Sequence, residues 1–191
     1  KRTVDDLEDY VGIYYHCNDL FFAFPYLRST ISDRERNAIV HYFNLSLVRE
    51  TLDTLAVAEG APPAPWQPGE IRGVERFVAQ WIPRYRTPPQ GASVLRHLLA
   101  VVEDERHRFR RWLADGLPDP VPARLLPHDF VMEFCTVLQK AVPWLKGRVL
   151  YFFLDDYSLP RVSEPVQRTL NDFIFLGCPN CFFKVATESV T

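Results

Sequence analysis

Residues 149–156 read VLYFFLDD and decide the fold class of this 191-residue chain. Six consecutive apolar residues predict a strand covered on both faces, because a half-exposed strand alternates apolar with polar side chains. Asp155 and Asp156 follow at its carboxyl end, which is where open α/β sheets bind their ligands. The stretch therefore predicts a buried parallel strand that carries two carboxylates at a binding edge.

Two other segments are rich in β-branched and aromatic residues and predict strands, over residues 10–17 and 181–189. The chain between them predicts helices over about residues 33–58, 92–115, 130–142 and a stretch that starts after Ser163. Ser32 and Glu35 open the first helix with the spacing of a capping box. A loop is expected over residues 18–30. Strands alternating with helices predict an α/β fold, with a mainly parallel sheet and flanking helices.

The segment over residues 61–90 holds seven of the sixteen prolines. We interpret it as a Pro-rich insertion, with one or two helical turns, in a single α/β domain over residues 1–191. Trp66 and Trp81 lie in this segment and are candidate anchors for a partner protein. The charged run EDERHRFRR, residues 103–111, is interpreted as a solvated helix face or as a docking surface.

Composition bounds the function. Of the residues, 47% are hydrophobic, which is typical of a globular chain. The net charge of −2 does not indicate nucleic acid as a partner, although a nucleic-acid partner stays possible. No apolar run reaches the roughly 20 residues of a membrane span, and a secretory signal is not recognisable. Cys178 and Cys181 form a CxxC that is either a reduced turn or half of a zinc or redox site. We expect a cytoplasmic protein that does not enter a membrane.

The two aspartates have the arrangement of a Walker B motif. In P-loop NTPases the first acid holds Mg²⁺, directly or through water, and the second orients or deprotonates the attacking water. Asp155 is therefore the predicted metal residue and Asp156 the predicted catalytic residue. Thr187, at the end of the next strand with Glu188 and Ser189 close by, has the position of a residue that senses the γ-phosphate. The alternatives are that the aspartates cap a turn and that Thr187 is an ordinary strand-end hydroxyl.

Two stretches carry a family resemblance. YFFLDDYSLPRVSEPVQRTLNDFIF (151–175) followed by FFKVATES (182–189) resembles bacterial ATPases of the origin-recognition-complex-like group, within the AAA+/STAND class of P-loop proteins. GIYYHCND (12–19) and VHYFNLSLVRETL (40–52) are similar to the segment that follows the P-loop helix in those proteins. The resemblance covers roughly residues 8–58 and 128–191 and leaves the Pro-rich middle unexplained. It implies that residues 1–191 are a partial ATPase-type domain.

The resemblance implies ATP and Mg²⁺ as cofactors and Asp155 as the Mg²⁺-associated acid. It implies Asp156 as the catalytic acid and Thr187 or Ser189 as the sensor position. It also implies a homo-oligomer or a partner protein in a large regulated assembly, in some relatives for defence against phage.

One element of such a site is missing from the sequence. The phosphate-binding pattern G-x-x-x-x-G-K-[ST] does not occur, and no glycine is followed by lysine. The only methionine is Met132, so we expect a P-loop upstream of Lys1 and no ATP hydrolysis by these 191 residues alone.

Three functions follow from these observations. The first is part of an ATP-dependent molecular switch, to which the chain contributes Walker B and sensor residues. The second is a degenerate ATPase-like interaction module without catalysis. The third is a metal-dependent nuclease or phosphotransferase that uses Asp155, Asp156 and Glu188 as metal ligands.

Overall fold

The sheet at the centre of the molecule is parallel. The computed structural model of the protein describes residues 10–24, 30–60, 66–121, 124–158, 162–175 and 179–186. Three strands pair in the order β1-β2-β3: β1 (Tyr10–His16), β2 (Val149–Asp155) and β3 (Cys181–Val185). In these ranges the helices are α1 (Asn18–Ala23), α2 (Asp33–Glu59), α3 (Arg72–Trp81), α4 (Val94–Ala114), α5 (Phe130–Ala141) and α6 (Glu164–Ile174). The predicted α/β fold, with a parallel sheet and flanking helices, is confirmed.

Helix α2 is the central helix. It begins with the predicted capping box: the Ser32 hydroxyl accepts the Glu35 N–H at 3.2 Å, and the Glu35 carboxylate accepts the Ser32 N–H at 2.7 Å. Every residue from 38 to 48 is buried, as expected for a helix enclosed on all sides. The helix packs against β1, α4 and α6, so it covers one face of the sheet.

Buried polar residues of α2 fix the chain segment that precedes α5. The imidazole Nδ1 of His41 accepts the N–H of Leu126 at 2.9 Å. The side chain of Asn44 donates to the carbonyl of Pro127 at 2.8 Å and accepts the N–H of Val131 at 3.2 Å. These bonds satisfy backbone groups that burial would otherwise leave without water.

The second face of the sheet carries aromatic rings and is open to solvent. We call it the open face, and its residues are Tyr10, Tyr14, Tyr151, Phe153 and Phe182. The Tyr14 ring stacks on that of Phe153 at a centroid distance of 4.9 Å, and the exposed fraction of Tyr14 is 64%. A Cβ on Gly12 would lie 3.0 Å from the Phe153 ring, so a larger residue at this position would crowd the ring.

The prediction that β2 is covered on both faces is therefore wrong for the part of the chain that the structure describes. Burial alternates along β2, with Leu150, Phe152 and Leu154 enclosed and their neighbours half-buried. The apolar run is explained instead by aromatic side chains on the open face, which shield one another.

One other prediction needs correction. The expected loop over residues 18–30 begins with the short helix α1, and residues 25–29 lie outside the described ranges. The Pro-rich segment is packed into the core, because Ile71, Val74 and Val78 are buried and α3 contacts α5. Whether that segment is an insertion in a single domain stays a prediction.

The helix ends otherwise agree with the sequence. α4 ends before Gly116, whose φ of +82° suits glycine and whose N–H bonds to the carbonyl of Leu113. Asp129 and Ser163 occupy the cap positions of α5 and α6 but make no side-chain capping bond. Within the described residues, each helix is too short or too polar to cross a membrane.

Candidate metal and nucleotide site

The carboxyl ends of the three strands meet at one edge of the sheet. His16 of β1 is in register with Asp155 of β2, and the N–H of Cys17 donates to the Asp155 carbonyl at 3.0 Å. From the other side, the N–H of Ala186 donates to the Leu154 carbonyl at 3.0 Å. Parallel pairing thus brings residues from three distant parts of the chain to the same place.

Asp155 is the last residue of β2 and its side chain points to the open face. Its Oδ2 atom lies 3.3 Å from Nδ1 of His16. The Asp155 side chain is 48% exposed and the His16 side chain is 74% exposed, so both are accessible from solvent. The predicted metal residue therefore has a second ligand-type side chain beside it.

Asp156 turns away from the strand with a left-handed backbone, at a φ of +59°. Aspartate adopts this region more readily than most residues, partly because its short side chain bonds locally. Its N–H donates to Oδ1 of Asp155 at 3.0 Å, and its own Oδ2 accepts the side-chain N–H of Asn18 at 2.7 Å. The predicted catalytic carboxylate is thus held by Asn18 of α1, and the Asp156 backbone is held by the side chain of Asp155.

His16, Asp155 and Asp156 each offer one ligand atom, and these atoms all lie within 4.8 Å of one another. Carboxylate oxygens are the donors that Mg²⁺ prefers, so the two aspartates fit the ion that the sequence predicts. No lysine or arginine of the described ranges forms an ion pair with either aspartate. The edge therefore carries negative charge that a bound cation would neutralise.

The same charge affects the thiol of Cys17. Burial, and next the charges of Asp156, Asp155 and Asp19, raise the pKa of Cys17 to about 12. The thiol is fully buried and therefore protonated at neutral pH.

Asp19, the second residue of α1, differs from the strand-end aspartates because it is neutralised. Nη1 of Arg106 lies 2.7 Å from its Oδ2, Arg110 lies 3.9 Å from its Oδ1, and the Tyr42 hydroxyl donates to it at 3.0 Å. Arg106 also pairs with Glu103 at 3.0 Å. The charged run of α4 is therefore partly internal: it neutralises acids inside the fold, and the interpretation as a purely solvated face is wrong.

A scan against protein families matched residues 2–189 to the family described as ORC-CDC6-like. The chain belongs to the ORC-CDC6-like family. It is thereby related to the AAA+ ATPases, which bind a nucleotide together with a metal ion. Searches of curated proteins and of solved structures each found no match.

The remaining predicted residues of this ORC-CDC6-like chain are only partly described. Thr187, Glu188 and Ser189 lie outside the described residues, which reach Ala186 at this edge. Their roles as sensor or metal residues stay predictions. Cys178 also lies outside, while Cys181 is buried in β3.

The two tryptophans proposed as partner anchors lie mostly inside the protein. Trp66 is buried and its ring is 5.7 Å from that of Trp144. Trp81 is half-buried under the guanidinium of Arg124, at 4.2 Å. Trp66 is therefore not available to a partner, and the prediction that it anchors one is wrong.

Sequence reasoning missed His16 and Asn18. Each follows the apolar core of β1, and polar residues at the carboxyl end of a second parallel strand are candidates for the same edge as Asp155. The polar residues at the end of the first predicted strand could be read from the sequence, but the direct pairing of β1 with β2 could not.

Proposed function

We propose that the chain supplies the metal-associated and water-orienting residues of an ATP-dependent molecular switch. The observation that carries the proposal is the pair Asp155 and Asp156 at the carboxyl-end edge of a parallel sheet, where no lysine or arginine of the described residues forms an ion pair with either. Family membership supports a nucleotide as the ligand, and a nucleotide brings the divalent cation that such a pair requires.

The two aspartates have different roles in this proposal. Asp155 is proposed to hold Mg²⁺ directly or through a water molecule, and its solvent-exposed side chain at the end of the strand supports that role. Asp156 is turned by its left-handed backbone and held at one oxygen by Asn18. A carboxylate fixed in this way is suited to orient an attacking water.

Thr187 and Ser189 are proposed to sense the γ-phosphate, because they follow β3, whose end is hydrogen-bonded to β2 beside Asp155. A homo-oligomeric or partner-bound assembly, a cytoplasmic location and a role in defence against phage stay predictions.

An interaction module without catalysis is the second candidate, and the open face favours it. Exposed aromatic patches mark surfaces that contact other macromolecules or chain segments. An ATPase can carry such a surface too, so hydrolysis is the property that separates the two candidates.

The test is ATP hydrolysis by the full-length protein with Asp156→Asn, which retains the shape of the side chain. Turnover should fall about 100-fold or more, as expected when a water-orienting group is removed, while ATP affinity stays within about twofold of wild type. Asp172→Asn, at an exposed acid of α6, is the control and should retain turnover. Unchanged turnover in Asp156→Asn would remove the catalytic assignment, and a wild-type protein that never hydrolyses ATP would favour the interaction module.

A further inference from the structure

A histidine lies where the proposed function needs only carboxylates. His16 ends β1 in register with Asp155, so the two side chains emerge from the same face of the sheet. Its Nδ1 atom is 3.3 Å from Asp155 Oδ2. Two ligands that each lie about 2.1 Å from one ion are roughly 3.0–3.4 Å apart in octahedral or tetrahedral geometry. The observed separation lies within this range, so both atoms can bind one ion without moving apart.

A third ligand atom completes the set. A carboxylate oxygen of Asp156 lies within 4.8 Å of the other two ligand atoms. Asn18 donates to Oδ2 of Asp156 and orients that carboxylate, which is the role of an outer-shell partner in metal sites. Three protein ligands with solvent access leave positions open for water or for another ligand.

Charge distinguishes this cluster from other histidine–acid contacts in the chain. His107 also contacts an acid, Glu103, at 3.0 Å, but Arg106 already pairs with that carboxylate. The ligand cluster of His16, Asp155 and Asp156 has no such cation within the described residues. A metal ion would supply the missing positive charge.

We propose that His16, Asp155 and Asp156 form a binding site for a first-row transition ion, with His16 as the ligand that selects it over Mg²⁺. Imidazole nitrogen favours transition ions, whereas Mg²⁺ takes oxygen ligands almost exclusively. The inference rests on the proposed function in placing a cation at Asp155. It goes further in giving the nucleotide-free site a nitrogen ligand, Asp156 as a second carboxylate ligand and a metal preference. The water-orienting role of Asp156 belongs to the nucleotide-bound site with Mg²⁺.

The test is titration of the 191-residue chain with Co²⁺ and separately with Mg²⁺, without nucleotide, by calorimetry and visible absorption. Wild type should bind one Co²⁺, at least about tenfold more tightly than Mg²⁺, and lack the charge-transfer absorption of a cobalt–sulfur bond. His16→Ala should weaken Co²⁺ binding by about 10–100-fold and change Mg²⁺ binding much less. Asp155→Asn should weaken both. His107→Ala removes another exposed imidazole next to an acid and should bind both ions as wild type does.

The proposal is overturned if wild type binds no Co²⁺, if His16→Ala binds it unchanged, or if the absorption shows a thiolate ligand. Because His16 is mostly exposed, His16→Ala should keep the wild-type circular dichroism. ATP hydrolysis by the full-length protein decides the proposed function separately. A chain that binds Co²⁺ through His16 while the full-length protein lacks hydrolysis would therefore support the metal site and contradict the switch.

Discussion

The side-chain amide of Asn18 donates a 2.7 Å hydrogen bond to Oδ2 of Asp156, across 138 positions of sequence. It links the start of α1 to the turn after β2, where Asp156 has a φ of +59°. A charge-assisted bond of this kind offsets the cost of that backbone conformation. The orientation of the proposed catalytic carboxylate therefore depends on a residue from the neighbouring strand's end.

Replacing Asn18 by alanine tests that dependence. Asn18→Ala should lower the kcat of ATP hydrolysis by the full-length protein about tenfold, because Asp156 loses a hydrogen bond worth about 1.5–3 kcal/mol. KM should change little, since Asn18 has no proposed contact with ATP. Asn37→Ala, at an exposed position of α2, is the control. Equal kcat values for Asn18→Ala and wild type would show that Asn18 does not position Asp156.

The contact between Asp19 and Arg106 should stabilise the fold measurably. Both side chains are mostly buried, so a double-mutant cycle with Asp19→Asn and Arg106→Gln should give a coupling energy of about 1–3 kcal/mol in the free energy of unfolding. The exposed pair Glu164 and Arg168, treated the same way, should give less than about 0.5 kcal/mol. Equal coupling in the two pairs would contradict the view that α4 carries an internal charge network.

His41 should make the protein sensitive to acid. Burial lowers the pKa of His41 from its usual 6.5 to about 3. Between these pH values the unfolded chain binds a proton at His41 that the folded chain does not. The free energy of unfolding should therefore fall as pH falls through this window, by up to about 1.4 kcal/mol per pH unit from this residue.

The variant His41→Gln keeps an acceptor for the Leu126 N–H and removes the titrating group. Denaturant unfolding at several pH values between 7 and 4 should show a shallower decrease for His41→Gln than for wild type. If the two proteins lose stability with the same slope, burial of His41 is not a source of acid sensitivity.

The two faces of the sheet should respond differently to truncation. Ile13→Ala, on the covered face, should cost about 3 kcal/mol of unfolding free energy. Tyr14→Ala, its neighbour on the open face, should cost only about 1 kcal/mol, mainly from the lost stack on Phe153. Tyr14→Ala should also bind less of a dye that reports exposed apolar surface. A larger loss of stability in Tyr14→Ala than in Ile13→Ala would contradict the open face.

Local patterns made much of the fold predictable. The run VLYFFLDD located β2 and its carboxylates, and Ser32 with Glu35 located the start of α2. Both are short-range signals, in which spacing within about eight residues determines the structure.

Features that depend on distant pairing were not predictable. His16 reaches Asp155 only because β1 pairs in parallel register with β2, which lies more than a hundred residues later. In the Pro-rich segment only one or two helical turns were predicted, whereas α3 has ten residues, and its buried residues Val74 and Val78 have helical spacing. α1 was missed because six residues are too few for a periodic pattern.

ATP binding by the full-length protein, measured by calorimetry with and without Mg²⁺, tests the central claim most directly. The account predicts that the factor by which Mg²⁺ raises ATP affinity is at least about tenfold smaller in Asp155→Asn than in wild type. ATP affinity without Mg²⁺ should be the same in both proteins. Mg²⁺-dependent binding by Asp155→Asn equal to that of wild type would contradict it, and so would a wild-type protein that binds no ATP.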